Sequence, residues 1–214
     1  MKSIVTFTIV GASALIASTQ LGAQPAGAPA SPTEAAAVAA GTYATDPAHT
    51  LVRWSVSHFG FNPYWGSFGN VAGTLEIDPS NVEAARLDVS IPIDSLSVVS
   101  EGLREHMLRP GSDGASPDFF GPDAGEARFV STKVRRTGPT SALIHGELTM
   151  LGTTQPVAIA AQFTGAGANP MSQAETIGFT GRARILRSQF GLNFAVPAIS
   201  DEVDLEISAA FERQ

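Results

Sequence analysis

Glu202-Val203-Asp204-Leu205-Glu206-Ile207-Ser208-Ala209-Ala210-Phe211-Glu212 closes the chain on an alternation of period two. Val203, Leu205, Ile207, Ala209 and Phe211 fall on one side, and Glu202, Asp204, Glu206 and Glu212 on the other. Successive side chains of an extended strand point to opposite faces, so this stretch reads as a strand with one buried face and one solvated face.

The same signature recurs upstream. Val52, Trp54, Val56 and His58 share one phase, as do Val71, Gly73, Leu75 and Ile77, then Leu87, Val89, Ile91 and Ile93. Further on come Ala142, Ile144, Gly146, Leu148 and Met150, then Val157, Ile159, Ala161 and Phe163, then Ile177, Phe179, Gly181, Ala183 and Ile185. Ala127 to Val134 reads as another strand, but its inward face is not legible. Turn chemistry separates the runs at Asp78-Pro79-Ser80-Asn81, Thr137-Gly138-Pro139, Leu151-Gly152-Thr153 and Gly165 to Pro170, so neighbouring strands should be antiparallel. Ser100 to Leu108 alone reads as helix, with Ser100 as N-cap and Leu103 and Met107 on one face. Half-buried strands with almost no helix to cover them leave a closed barrel or a two-sheet sandwich. Eight strands make a barrel wide enough for one small ligand, and glycine and alanine on the inward faces suit a cavity. The pattern itself does not separate a hollow barrel from a filled one.

The 214 residues fit one such domain plus ancillary sequence. Met1-Lys2-Ser3 followed by apolar Ile4 to Ala17 reads as a secretory signal, too short to span a membrane comfortably, with cleavage expected after Ala23. Residues 24–41 are rich in Ala, Pro and Gly and read as a linker, so the folded domain is expected over 42–214, in the periplasm. A formal net charge of -7 argues against a nucleic-acid partner, which needs clustered Lys and Arg, and against docking by charge on anionic lipid. The absence of cysteine removes disulfides, thiolate nucleophiles and Cys-based metal sites.

No residue pattern carries a reaction. His49, His58, His106 and His145 form no HExxH or HxH pair, so no metal site is expected, and no Gly-x-Ser-x-Gly elbow, Walker loop or GxGxxG fingerprint is present. His145 alternates onto the polar face. His58 shares the phase of Trp54 and Val56, so its imidazole must be hydrogen-bonded or meet a polar ligand group. Trp54, Phe59, Phe61, Tyr64, Trp65 and Phe68 cluster within fifteen residues, and Phe119-Phe120 stand in a Gly- and Pro-rich loop, where two adjacent phenylalanines need an apolar surface to cover. Arg184 and Arg187 read as solvated charges, with a head-group contact at a barrel mouth as the other reading.

The ordered series Tyr43-x-x-Asp46-x-x-His49, Val56-x-His58-x-Gly60, Gly66-x-Phe68, Leu103-x-x-His106-x-Leu108, Asp118-Phe119-Phe120, Gly146-x-Leu148-Thr149-x-Leu151-Gly152 and Arg187 to Leu192 resembles the YceI-like family of bacterial periplasmic polyisoprenoid-binding proteins. The resemblance implies a lipocalin-like eight-stranded antiparallel barrel, with one short helix near its mouth and a tunnel for a polyisoprenoid lipid such as an isoprenoid quinone or polyprenyl phosphate. It implies no enzymatic activity, no catalytic residue, no metal and no cofactor. On this basis the ligand-binding residues are Trp54, Val56, His58, Phe68 and Leu75; Leu103, His106 and Met107 of the helix; Phe119 and Phe120; Phe129, Ile144, Leu148 and Phe179; and Arg187 and Phe190. The partners expected are that lipid and a transient membrane contact, and a homodimer is compatible with the sequence. The alternative reading is a stress-related scaffold with a filled barrel. Pro110 to Pro117 and Gly121, in place of the family's usual Asp, depart from the family pattern and put the tunnel entrance in question.

Overall fold

The computed structural model describes residues 38–214. The signal segment 1–23 and the linker up to residue 37 lie outside the described residues. The strands are β1 (Gly41–Thr45), β2 (Leu51–His58), β3 (Asn62–Phe68), β4 (Ala72–Ile77), β5 (Arg86–Pro92), β6 (Ser97–Val98), β7 (Glu126–Arg136), β8 (Ser141–Met150), β9 (Thr153–Ala168), β10 (Glu175–Leu186) and β11 (Glu202–Arg213). The helix α1 spans Glu101–Leu108 between β6 and β7. Every strand pairing is antiparallel.

Eight strands run in the order β1-β4-β5-β7-β8-β9-β10-β11, and Tyr43 to Thr45 pair with Phe211 to Arg213 to close the ring. The free edge of β11 is shared between two consecutive strands. Its end pairs with β1, while Asp204 to Ser208 pair with β2, which carries β3 and β6 as an extension of the wall. Where the partner changes, the backbone of Ala210 would lose its ladder bonds. Thr50 Oγ1 donates to Ala210 O and accepts from Ala210 N, both at 3.1 Å, and Asp46 N donates to the same carbonyl at 2.8 Å. Asp46 in turn accepts from Ala48 N at 3.0 Å and pairs with His49 Nδ1, so the Asp46-x-x-His49 motif builds the corner between β1 and β2.

The inward phase follows the apolar alternation, and the outward phase carries cross-strand ion pairs such as Arg128 with Asp88 and Arg184 with Asp204, each closing at 2.6 Å. Two glycines on inward phases make room for aromatic side chains. A Cβ on Gly66 would overlap the Trp54 indole, its cross-strand partner, and a Cβ on Gly146 would overlap the Phe129 ring. In β7 a bulge between Ser131 and Lys133 shifts the inward phase from Ala127 and Phe129 to Val134, which is why no single alternation can be read there. Val38 is buried and β1 begins at Gly41, so packed structure begins a few residues ahead of Thr42.

Ser100 Oγ accepts from Leu103 N at 3.2 Å and caps α1 as expected, and Leu103 and Met107 present one face of the helix to the barrel interior. Arg104 ties the helix to the preceding turn by donating to Leu96 O at 2.9 Å and Asp94 O at 2.8 Å.

Candidate functional site

The barrel is hollow. A cavity of ≈ 220 Å³ is lined by residues of all eight ring strands, with Thr45, Leu75, Leu87, Phe129, Ile144, Val157, Phe179 and Ile207 each from a different strand. Ile144, Ile159, Leu205 and Ile207 point inward yet keep residual accessibility, because they face this space instead of packed neighbours. A second chamber of ≈ 170 Å³ lies under α1, between β2, β3 and the start of β11. Along each shared strand the two spaces follow one another: Val52 then Trp54, Leu148 then Met150, Ala183 then Ile185, and Leu205 is on both walls. The alternating inward residues thus place two apolar cavities end to end, from the β7–β8 turn to the helix, with Leu205 between them.

Of the residues assigned to ligand binding from sequence, Leu75, Phe129, Ile144, Leu148 and Phe179 line the main cavity. Trp54, Val56, His58, Phe68, Leu103, Met107, Phe119, Phe120 and Arg187 line the helix chamber. Three residues stand differently from their sequence reading. His106 lines neither space: its Nε2 lies 2.7 Å from Asp118 Oδ2, and its ring edge meets Phe119 and Phe194. Phe190 is buried in the core with Met150 and Leu192 and lines neither space. Arg187 is not a solvated charge. At 5% exposure it donates to Ser200 O, Leu192 O, Phe194 O and Ile199 O at 2.7–3.0 Å, so four of its five donors are engaged by backbone. Burial pulls its pKa down from the usual arginine value, against a smaller opposing pull from the charge of Asp201.

His106 nevertheless matters to the site. It holds Asp118, which Arg109 also approaches at 3.6 Å, while Phe120 N and Gly121 N donate to Met107 O at 3.0 and 3.2 Å. Phe119 and Phe120 are thereby fastened to α1 with their rings in the chamber wall, and the apolar surface they cover is that chamber. Gly121 has φ +74°, and a Cβ there would come within 2.6 Å of the Pro117 ring. The glycine and the inserted Pro110–Pro117 loop therefore go together, since the loop packs where a side chain at 121 would otherwise stand.

Sequence reasoning passed over Tyr64, Ile199 and Leu192 in the chamber wall. Tyr64 lies on β3, whose alternation of Tyr64, Gly66 and Phe68 was available but is interrupted by Pro63 and by a glycine in the apolar phase. Ile199 and Leu192 come from the irregular segment after β10, which has no period to read.

The YceI-like domain profile matches residues 43–211. A UPF0312 protein of Vibrio vulnificus is 34% identical over 166 residues, covering 76% of this chain and 82% of that protein. Among solved structures, BcnA of Burkholderia cenocepacia superposes with a TM-score of 0.64 at 19% identity, over 78% of this chain and 98% of BcnA. A polyisoprenoid-binding domain from Saccharophagus degradans superposes with a TM-score of 0.58 at 11% identity, over 80% of this chain and 98% of that domain. The matched span runs from Tyr43 in β1 to Phe211 in β11, the two strands that close the ring, so the barrel is the family's domain and the chain belongs to the YceI-like family.

Proposed function

We propose that this chain binds a long-chain polyisoprenoid lipid, an isoprenoid quinone or a polyprenyl phosphate, in the barrel tunnel and carries it through the periplasm without chemical change. The observation that carries this reading is the pair of apolar cavities, the main cavity and the helix chamber, which share Leu205 in their walls and follow one another along β2, β8, β10 and β11. A scaffold would have no use for unfilled apolar space, since each cavity forfeits packing energy. The polyisoprenoid-binding neighbour of the same fold supports the ligand class.

Energetics favour a carrier over a sink. Burying a forty-carbon chain from water yields on the order of 30 kcal/mol at about 0.8 per methylene, beyond the roughly 20 kcal/mol at which noncovalent affinity saturates. Such a lipid resides in a bilayer, so the relevant preference is the small difference between two apolar environments. Exposed Phe59 and Phe61 beside the chamber, with Phe194 and Val196, supply a surface for transient membrane contact. Organic extraction of the purified protein followed by mass spectrometry tests the reading: a stoichiometric prenyl lipid is expected. Protein that is lipid-free and takes up no prenyl lipid from vesicles would sink it.

A further inference from the structure

The end of the barrel away from α1 is closed unevenly. On one side Val38, Tyr43, Phe163, Ile177 and Phe211 pack into a single buried cluster across β1, β9, β10 and β11. On the other, the ladder between β5 and β7 stops short. It runs from Pro92 opposite Glu126 to Asp88 opposite Val130, and Leu87 N then donates to Ser131 Oγ at 2.8 Å. From there β7 continues to Arg136, paired with β8 on one edge and with no strand on the other among the described residues. The single helical turn Val82–Ala84 of the β4–β5 connection stands beside that edge instead, and Glu83 Oε1 accepts from Arg136 N at 3.3 Å. A seam joined by side chains in place of a backbone ladder is where a wall opens at least cost.

The main cavity reaches the surface at this seam. Arg86, Arg136, Pro139 and Thr180 are the exposed residues of its lining, and the first three flank the seam. Thr180 stands apart, on the outward phase of β10 beside the bulge at Gly178 and Phe179. The opening itself is apolar, with Pro79, Val82 and Ala85 on one side and Val134 and Pro139 on the other. Its charges are committed elsewhere: Arg136 donates to Gly138 O and Pro139 O, both at 3.0 Å, and Arg86 stands opposite Glu76 on the outward phase. Such a rim suits hydrocarbon and gives an anionic group little to offset its desolvation. We infer that the seam between β5 and β7 is an exit for the hydrocarbon end of a long linear prenyl chain, whose terminal units leave the main cavity between Ala85 and Pro139. The inference rests on the polyisoprenoid-carrier reading and adds to it a second opening at the far end from the helix. Units beyond the seam lose their apolar surroundings, so affinity should be greatest for the chain that just reaches it and fall gradually for longer ones. A closed floor would instead end binding abruptly at one length.

The test uses the full mature protein and prenyl alcohols of increasing length carrying a diazirine at the hydrocarbon end, with crosslinked residues mapped by mass spectrometry. Short alcohols should label the lining of the main cavity, and long ones the β4–β5 connection and the β7–β8 turn. Ala85→Trp, which narrows the seam, should lower the ratio of long-chain to short-chain affinity several-fold. Long-chain label confined to the cavity interior or the helix end would overturn the exit, as would an unchanged ratio in a folded Ala85→Trp protein. Label at the seam from a diazirine placed beside the hydroxyl would also overturn it, because the polar end would then occupy the opening. The crosslink map is made on the wild type, so it decides the matter even where Ala85→Trp does not fold. Failure of the alcohols to bind at every length would overturn the carrier reading itself and the exit with it.

Discussion

At the residue scale, the side chain whose role differs most from its sequence reading is Arg187. Arginine after an apolar strand ordinarily faces water, and nothing within its own neighbourhood in the chain signals that four carbonyls from positions 192–200 converge on it. Those carbonyls belong to a segment without regular structure, where backbone groups have no ladder and need another donor. Arg187→Met should therefore destabilise the protein by on the order of 3 kcal/mol or more, through stranded carbonyls and not through a lost ion pair. Arg187→Lys should rescue little, because an ammonium lacks the planar fork; urea denaturation of both variants checks this, and wild-type midpoints would refute it. Asp201 works beside it by accepting from Ser188 N at 2.8 Å and Ser188 Oγ at 2.7 Å, and the Ser188 hydroxyl is the main cause holding its carboxyl below the usual value. A lowered folded pKa means that this stabilisation is fully present above the ordinary carboxylate range, near pH 4, and is lost as pH falls through the lower folded value. Asp201→Asn should accordingly be less stable than the wild type at pH 7 and converge with it as pH falls through the lowered folded value. A difference that stays constant across that range would show that the carboxylate charge contributes nothing.

At the scale of elements, legibility tracks regularity. β2, β4, β5, β8, β10, β11 and β9 as far as Phe163 were readable because each keeps its alternation across the barrel wall, and the cap and inner face of α1 were readable from Ser100, Leu103 and Met107. β1 has only Tyr43 as a large apolar residue, β6 is two residues long, and β3 is broken by Pro63 and Gly66, so none of them shows a run long enough to carry a period. In β11 the register makes a sharp prediction. Leu205 and Ile207 face the cavities while Glu206 sits outside, 3.5 Å from Arg53 and 3.9 Å from Arg182. Leu205→Asp or Ile207→Asp should cost several kcal/mol by placing an unpaired charge in apolar space, whereas Glu206→Lys forfeits surface pairs and should cost at most about 1 kcal/mol. Equal losses in thermal melts would contradict the register. The segment Asp118-Phe119-Phe120 is fastened to α1 at its start by His106 and at its end by Met107 O, the arrangement of a flap whose rings close a chamber. Because the chain has no cysteine, Phe119→Cys and Phe120→Cys each introduce a single thiol. At least one should react more slowly with maleimide in lipid-loaded protein than in empty protein. Unchanged rates in two well-folded variants would place the entrance elsewhere, at the Phe59 to Trp65 loop.

At the scale of the whole molecule, the proposed carrier function asks how an apolar tunnel inside an acidic protein would exchange lipid with a membrane. A net charge of -7 repels an anionic bilayer, so attraction must come from apolar contact. The described residues offer such a surface next to the chamber. Phe61 is 88% exposed at the β2–β3 turn, Phe59 is 53% exposed beside it, and Phe59 N donates to Ala198 O at 2.9 Å, which joins this turn to the segment bearing Phe194 and Val196. His58 pairs as an isolated bridge with Ile199, and both line the chamber, so the exposed aromatics and the chamber wall belong to one continuous piece of structure. Phe61 makes no contribution to the core that would require it to be aromatic, and exposed aromatics at a turn are what a short-lived insertion into the bilayer interface uses. A docking residue lowers the barrier for transfer in both directions and leaves the equilibrium between bilayer and tunnel unchanged. Phe61→Ser should therefore slow transfer of a prenylated quinone from vesicles several-fold, with the final partition ratio and the thermal stability as in the wild type. Transfer from neutral phosphatidylcholine vesicles should also be faster than from vesicles rich in anionic lipid, with the gap narrowing as salt screens the charge. A transfer rate untouched by Phe61→Ser would remove the turn from the docking surface, and faster transfer from anionic vesicles would mean that charge on this protein does not govern its approach to the membrane.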